Sequence, residues 1–426
     1  MLSLLTLWLL HLFALNCPVS GHPLLSREAP VPCDPDIDTR TLFGIVSGCL
    51  ATVFACTWVS VHPNVPRPSQ GKLSLAWNRF SLMLVAVIAP ELMAGFAARQ
   101  FLDARWFSKK YDVSITHGFF FAMGGFVSAG HHPIVTEEQL RLHPEYLAAI
   151  RSTRVKAIED KSKGDLLSKG VVLLQGLWFT AQCLTRLLQH LTLTELEVAT
   201  LAFQFVNLAI WFLWLHKPLD VQQPIILGPA DELVALAKPS HRLSQNHSPL
   251  EAAGDNVCIL LGGHWSDLDF TTSTSVPSYW STHGFCVKGP GKGDTRFVSS
   301  FIFIELLAGT LFGLVHCAAW NAHFPSTAEL LIWRFCSLAI AATPSIITFM
   351  YGFGLLNWKM GWNLDVMFMR SVSANFNCIL GCIIWAAVVA YIFARLLLIV
   401  LSFTTLRALP PGAFADVNWT AYIPHL

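Results

Sequence analysis

The sequence predicts an all-α membrane protein, a polytopic helix bundle of seven to eight spans with two long polar loops. Three observations carry that prediction. Apolar runs of bilayer-spanning length, about 17 to 25 residues, recur along the chain. Of its 426 residues 54% are hydrophobic and 13% charged, against roughly a quarter charged in an average soluble domain. Within the runs, polar side chains fall on common helix faces. The net charge of +1 offers no clustered basic face, which argues against a nucleic-acid partner. The partners expected are membrane lipids and a lipophilic small molecule, and oligomeric state stays open.

Residues 1–21 join an apolar run, 2–15, to Val19-Ser20-Gly21, a small-residue pattern suited to cleavage of a secretory signal peptide. A short lumenal or extracellular segment, 22–41, follows. The first membrane section, 42–130, holds expected spans at 42–61 and 81–98. Its Phe-rich and Gly-rich stretch 115–129 reads as a short span, a re-entrant hairpin or a buried loop segment. A polar loop, 131–168, opens with Thr136-Glu137-Glu138-Gln139, a helix start with a capping threonine. A helical hairpin, 169–216, carries spans at 170–188 and 196–215. A second polar loop, 217–297, contains a Gly-rich stretch, 284–293, read as a flexible linker because it lacks P-loop spacing. The C-terminal membrane section, 298–403, holds spans at 298–320, 330–353 and 378–403, and the tail is 404–426.

Counting Lys and Arg in the loops favours letting 115–129 cross, because the basic loops then face the cytoplasm. That arrangement makes Asn418-Trp419-Thr420 the usable glycosylation sequon; with seven spans Asn246-His247-Ser248 is the usable one. The expected location is the endoplasmic reticulum, another secretory-pathway membrane or the plasma membrane. The chain has 11 cysteines and no CxxC pair; most lie in apolar runs as small buried hydrophobes, and no metal site is expected.

Inside the spans, Gln175, Gln182 and Arg186 share a face, as do Glu197, Thr200, Gln204 and Asn207. Glu305, Gly309, Gly313 and His316 form another stripe, and Arg334, Ser337, Ala341 and Ser345 a fourth. An unpaired charge at the bilayer centre costs at least about 2.5–3.5 kcal/mol, so Glu91, Arg186, Glu305 and Arg334 should pair or line a wet cavity. Glu91, beside Pro90 within its run, is the first candidate for a catalytic proton donor or base, with His117 as a second proton carrier. At a membrane edge, Asp160, Lys161 and Asp165 precede one helix of the hairpin and Lys217 and Asp220 follow the other. If the hairpin closes, these residues meet at one rim and, with Arg186, form a candidate substrate-binding set for a diphosphate or carboxylate head. A diphosphate would bring Mg²⁺; the cofactor otherwise stays open. The bland alternative is a solvated collar that fixes helix depth.

Several motifs together resemble a large group of multi-pass membrane proteins of filamentous and mushroom-forming fungi. They are Asp34-Pro35-Asp36-Ile37, Cys56-Thr57-Trp58, Val61-His62-Pro63-Asn64-Val65-Pro66, Ala89-Pro90-Glu91, Thr116-His117-Gly118-Phe119, Met123-Gly124-Gly125-Phe126, the 160–165 run, Lys217-Pro218-Leu219-Asp220-Val221 and Leu409-Pro410-Pro411. Some members of that group lie near secondary-metabolite genes, so the resemblance implies a role in making a lipophilic secondary metabolite, and it brings no catalytic residue with it. Three readings follow: a membrane-embedded enzyme acting on an isoprenoid or polyketide, a transporter or channel for a metabolite or proton, and a non-catalytic sensor or scaffold.

Overall fold

The structure is a computed structural model describing residues 39–59, 61–68, 70–162, 166–228, 259–260, 263–264, 270, 273–283, 285–286, 295–359 and 374–419. The expected signal peptide, Asn246 and Asp165 lie outside the described residues. The described chain is mostly helical: α1 (Leu42–Phe54, prolonged by a π-helical turn, Ala55–Val59), α2 (Lys72–Ile88), α3 (Pro90–Tyr111), α4 (Ile115–Ala122), α5 (Glu137–Leu142), α6 (Pro144–Ser152) and α7 (Val155–Glu159) come first. Then follow α8 (Leu166–Leu188), α9 (Glu195–Leu213), α10 (Thr295–Cys317), α11 (Thr327–Lys359) and α12 (Ala374–Thr404). Two short parallel strand pairs tie loops together: β1 (Phe126–Val127) with β2 (Ile225–Ile226), and β3 (Gly263–His264) with β4 (Phe285–Cys286).

Among the described residues, Glu195–Leu213, Ser300–Cys317, Thr327–Phe349 and Ala386–Ala408 are long and apolar enough to cross a membrane, and α2 with α3 adds a fifth if the bent pair counts as one span. Leu42–Trp58 is a shorter apolar helix. α8 is long enough at 23 residues, but Gln175, Gln182 and Arg186 make it less apolar.

Two expected spans take a different form. The run 81–98 is broken, with α2 and α3 meeting at 115°. Proline disfavours helical backbone in the residue before it; Ala89 sits at φ −143°, ψ 70°, and Pro90 opens α3 where its missing N–H costs nothing. Glu91 is therefore a first-turn residue of a new helix, not a mid-span one. The run 115–129 contains an eight-residue helix, about 12 Å long against a hydrocarbon layer of roughly 30 Å. It is a core element instead of a crossing. Gly118 lets its backbone touch α3, because a Cβ there would stand 2.3 Å from the Ala104 carbonyl oxygen. That approach seats Phe119, Phe120 and Phe121, all 0–1% exposed, each burial being worth about 1.5–3 kcal/mol.

The chain divides into two compact units. In the unit built from Ala55–Leu173 and Val206–Ala308, the core gathers Phe107, Phe120, Phe121, Phe126, Ile150 and Val221, with Phe107 stacked on Phe121 at 4.3 Å. The expected cap at Thr136 is present as a full capping box with Gln139.

In the unit built from Met1–Phe54, Leu174–Phe205 and Gly309–Leu426, α11 packs along α12, and Gly313 lies against the backbone of Ala341. Glu197, Thr200 and Gln204 are buried as their stripe implied. The Glu197 carboxylate pairs with Arg40 at 2.5 Å and closes its own cap on Thr194. Arg186 donates to the carbonyls of Thr192, Gly412, Ala413 and Ala415 at 2.7–3.3 Å and so fixes the tail. Arg334 donates to the Trp320 carbonyl at 2.9 Å. The expected pairing of these arginines is thus met largely by backbone oxygens.

Candidate functional site

Helix α3 is the polar spine of its unit. Glu91, Gly95, Arg99 and Asp103 recur every four residues and so share a face. Arg99 is 1% exposed; it donates to the Leu260 carbonyl at 2.7 Å and stands 3.9 Å from the Glu305 carboxylate. Gly95 makes room for that carboxylate, since a Cβ there would lie 2.1 Å from Glu305 Oε2. One turn earlier, Glu91 is buried at the start of the helix, where the N-terminal dipole favours a carboxylate. One turn beyond Arg99, Asp103 accepts from the backbone N–H groups of Thr282 and His283 at 2.6 and 3.2 Å and faces His283 Nδ1 at 2.7 Å.

Gln100 begins a second chain of contacts. Lys217, 1% exposed, donates to Gln100 Oε1 at 2.7 Å and to the His62 carbonyl, with its ammonium 4.4 Å from the Trp214 ring centre. Gln100 Nε2 donates to Asn64 Oδ1 at 2.8 Å, and Asn64 Nδ2 donates to the Pro277 carbonyl at 3.0 Å. This relay holds the extended segment around Asn64 against the loop 273–283.

Those two segments, with α2 and the turn after α9, enclose a cleft of about 710 Å³, within the size range of small-molecule sites, about 300–1,000 Å³. Its walls include Trp58, Asn64, Arg67, Gln70, Ser74, Asn78, Arg79, Leu82, Asp220, Gln222, Ser275 and Pro277. Arg79 donates to the Trp58 carbonyl at a long 3.4 Å and lies 4.0 Å from Asp220, beyond hydrogen-bond length. Arg67 donates to Ser275 Oγ at 3.1 Å. A smaller cavity of about 420 Å³ shares the wall from Pro66 to Gln70 and adds His131 and Gln223. Helix α2 is two-faced: Ser74, Asn78, Arg79 and Leu82 line the cleft, while Leu73 and Trp77 are 88% and 64% exposed.

The two chain segments of the expected rim meet through residues outside the candidate set. Ser162 Oγ donates to the Leu219 carbonyl at 2.6 Å, so the 158–162 end meets the turn after α9. Asp220 lines the cleft, held at φ 53°, a left-handed conformation that Asp tolerates. Lys217 is buried in the relay instead of offered to a ligand, and Asp160 is exposed next to a Lys161 that is half-buried. Arg186 is occupied by tail carbonyls in the other unit. His117 has both ring nitrogens engaged, by Ser114 Oγ at 2.7 Å and the Thr153 carbonyl at 2.8 Å. Neither His117 nor Glu91 is among the residues that line the cleft. Asn418 is exposed. Among the described residues, no three His, Cys, Asp or Glu side chains come together in a group able to hold a metal ion. The arginines of the cleft and Asn78 escaped sequence reasoning; among the cleft's arginines and asparagines, Asn64 alone lies in the motif 61–66 singled out in the sequence.

The chain belongs to a family of unknown function (DUF8562), whose profile matches residues 10–249 and 302–426. No curated protein and no solved structure matches it.

Proposed function

We propose that this is a multi-pass membrane protein that takes part in the biosynthesis of a lipophilic secondary metabolite and holds the polar end of that molecule in the cleft under α2. The observation that carries the reading is the cleft itself: a polar chamber walled by a helix whose opposite flank, Leu73 and Trp77, is apolar and exposed. Such a helix suits the membrane interface, where an amphipathic molecule can reach the chamber from the lipid. An enzymatic role is favoured over a scaffold because convergent polar side chains line a concave site of ligand size.

Transport is the second reading, favoured by the buried Arg99–Glu305 pair, since intramembrane charges often mark ion pathways. Metabolite profiling of a deletion strain of the native host, complemented with wild type or Arg79→Gln, separates the readings. Accumulation of one lipophilic precursor in both the deletion and the Arg79→Gln strain supports biosynthesis. An unchanged metabolome with altered uptake or efflux supports transport.

A further inference from the structure

We infer that the cleft takes an anionic amphiphile, an oxyanion head on an aliphatic or isoprenoid chain, gripped by Arg67 and Arg79; this deepens the reading above and rests on it. Charge is the first ground. Among the described residues lining the cleft, two guanidinium groups face one carboxylate, Asp220, which leaves the chamber net positive. The second ground is unspent hydrogen-bonding capacity. A guanidinium carries five N–H donors in a fork that matches carboxylate and phosphate oxygens. Among the described residues, Arg79 makes one long bond through Nε, lies over the Trp58 ring at 5.6 Å, and has its nearest carboxylate oxygen 4.0 Å away, so most of its N–H donors are unspent.

That ion pair is also partly open to solvent, the side chains being 23% and 33% exposed, and pairs of this kind are weak and readily exchanged. A ligand oxyanion can replace Asp220 on Arg79 at small cost and gain a second cation in Arg67. The third ground is shape. The chamber has room beyond a head group, shares its Arg67 wall with the smaller cavity, and includes Trp58, Leu75 and Leu82 as surface for a chain.

The test uses the full chain in phosphatidylcholine nanodiscs and follows tryptophan fluorescence during titration with dodecyl phosphate, laurate, dodecanol and inorganic phosphate. The expected result is saturable binding of dodecyl phosphate and laurate, with dodecanol and inorganic phosphate at least about tenfold weaker. Arg67→Gln and Arg79→Gln each weaken the anionic probes about tenfold, the loss of one charge-assisted bond. Arg79→Lys, which keeps the charge and serves if Arg79→Gln does not fold, weakens them less. Asp220→Asn leaves binding unchanged or tighter. Equal binding of dodecanol, indifferent to both arginine variants but abolished by Ala76→Trp, which fills the chamber, overturns the anionic assignment and leaves the amphiphile cleft standing. Inorganic phosphate binding as tightly as dodecyl phosphate overturns the amphiphile and makes this a free-anion site. Binding of none of the probes overturns both.

Discussion

Lys217 donates to Gln100 Oε1 at 2.7 Å, with the two residues 1% and 0% exposed. From that contact a continuous polar relay runs through Asn64 to the loop that walls the cleft. Lys217 is thus a positioning residue for the chamber rather than a ligand-binding cation. Lys217→Ala removes the donor to Gln100 Oε1 and to the His62 carbonyl, and losing a bond at a buried acceptor costs about 1–3 kcal/mol. The variant should be about 2–6 kcal/mol less stable, seen as a large fall in melting temperature of the purified protein, whereas Asp160→Ala at the exposed rim should change it little.

Gly118 and Gly95 make a graded pair. A Cβ at Gly118 meets the Ala104 backbone oxygen at 2.3 Å, and backbone cannot step aside. The atoms nearest a Cβ at Gly95 all belong to the flexible Glu305 side chain. Gly118→Ala should therefore cost more than the about 1–3 kcal/mol typical of overpacking and abolish folded yield, with Gly95→Ala within that range. Thermal melts of the two variants check the order; a Gly118→Ala protein as stable as wild type contradicts the close packing of α4 on α3.

Burial pushes the Tyr279 phenol up to about 12, so between pH 10 and 12 the unfolded chain loses this proton first. Stability contributed by the neutral phenol is complete below about pH 10 and declines as pH rises toward 12, by at most about 2–3 kcal/mol. Tyr279→Phe should flatten that alkaline decline in chemical unfolding curves taken between pH 9 and 11.5; an identical slope in both proteins counts against a buried phenol.

An even number of crossings behind a cleaved lumenal N-terminus makes Asn418 the usable sequon and leaves Asn246 in the cytosol. On expression in a fungal host, endoglycosidase H should sharpen and shift the wild-type band, Asn418→Gln should abolish the shift and Asn246→Gln should not. The reverse pattern requires an odd number of crossings.

The long apolar helices were legible because a run of 20 apolar residues admits few alternatives, and the Thr136 cap was legible because its four residues are contiguous. The break at Ala89-Pro90 was signalled by the proline, yet apolar residues on both sides masked it. The Phe-rich run misled for a related reason: hydropathy does not separate a span from a core helix, and the deciding feature, Gly118 against Ala104, is a tertiary contact. Lys217 and Asp220, three residues apart, look equivalent in sequence; one is sealed by Gln100 and the other opens on the cleft, and partners over a hundred positions away decide which. The cleft itself joins residues 58–82, 220–222 and 275–278, a grouping that no spacing rule reveals.

The most direct test of the central claim is mass spectrometry of small molecules that co-purify with the protein from its native host, comparing wild type with the Arg67→Gln/Arg79→Gln double variant. An anionic, lipophilic molecule retained by wild type and depleted at least about tenfold from an equally folded double variant is the predicted result. An identical set of molecules on both proteins contradicts the cleft as the site where the metabolite is held.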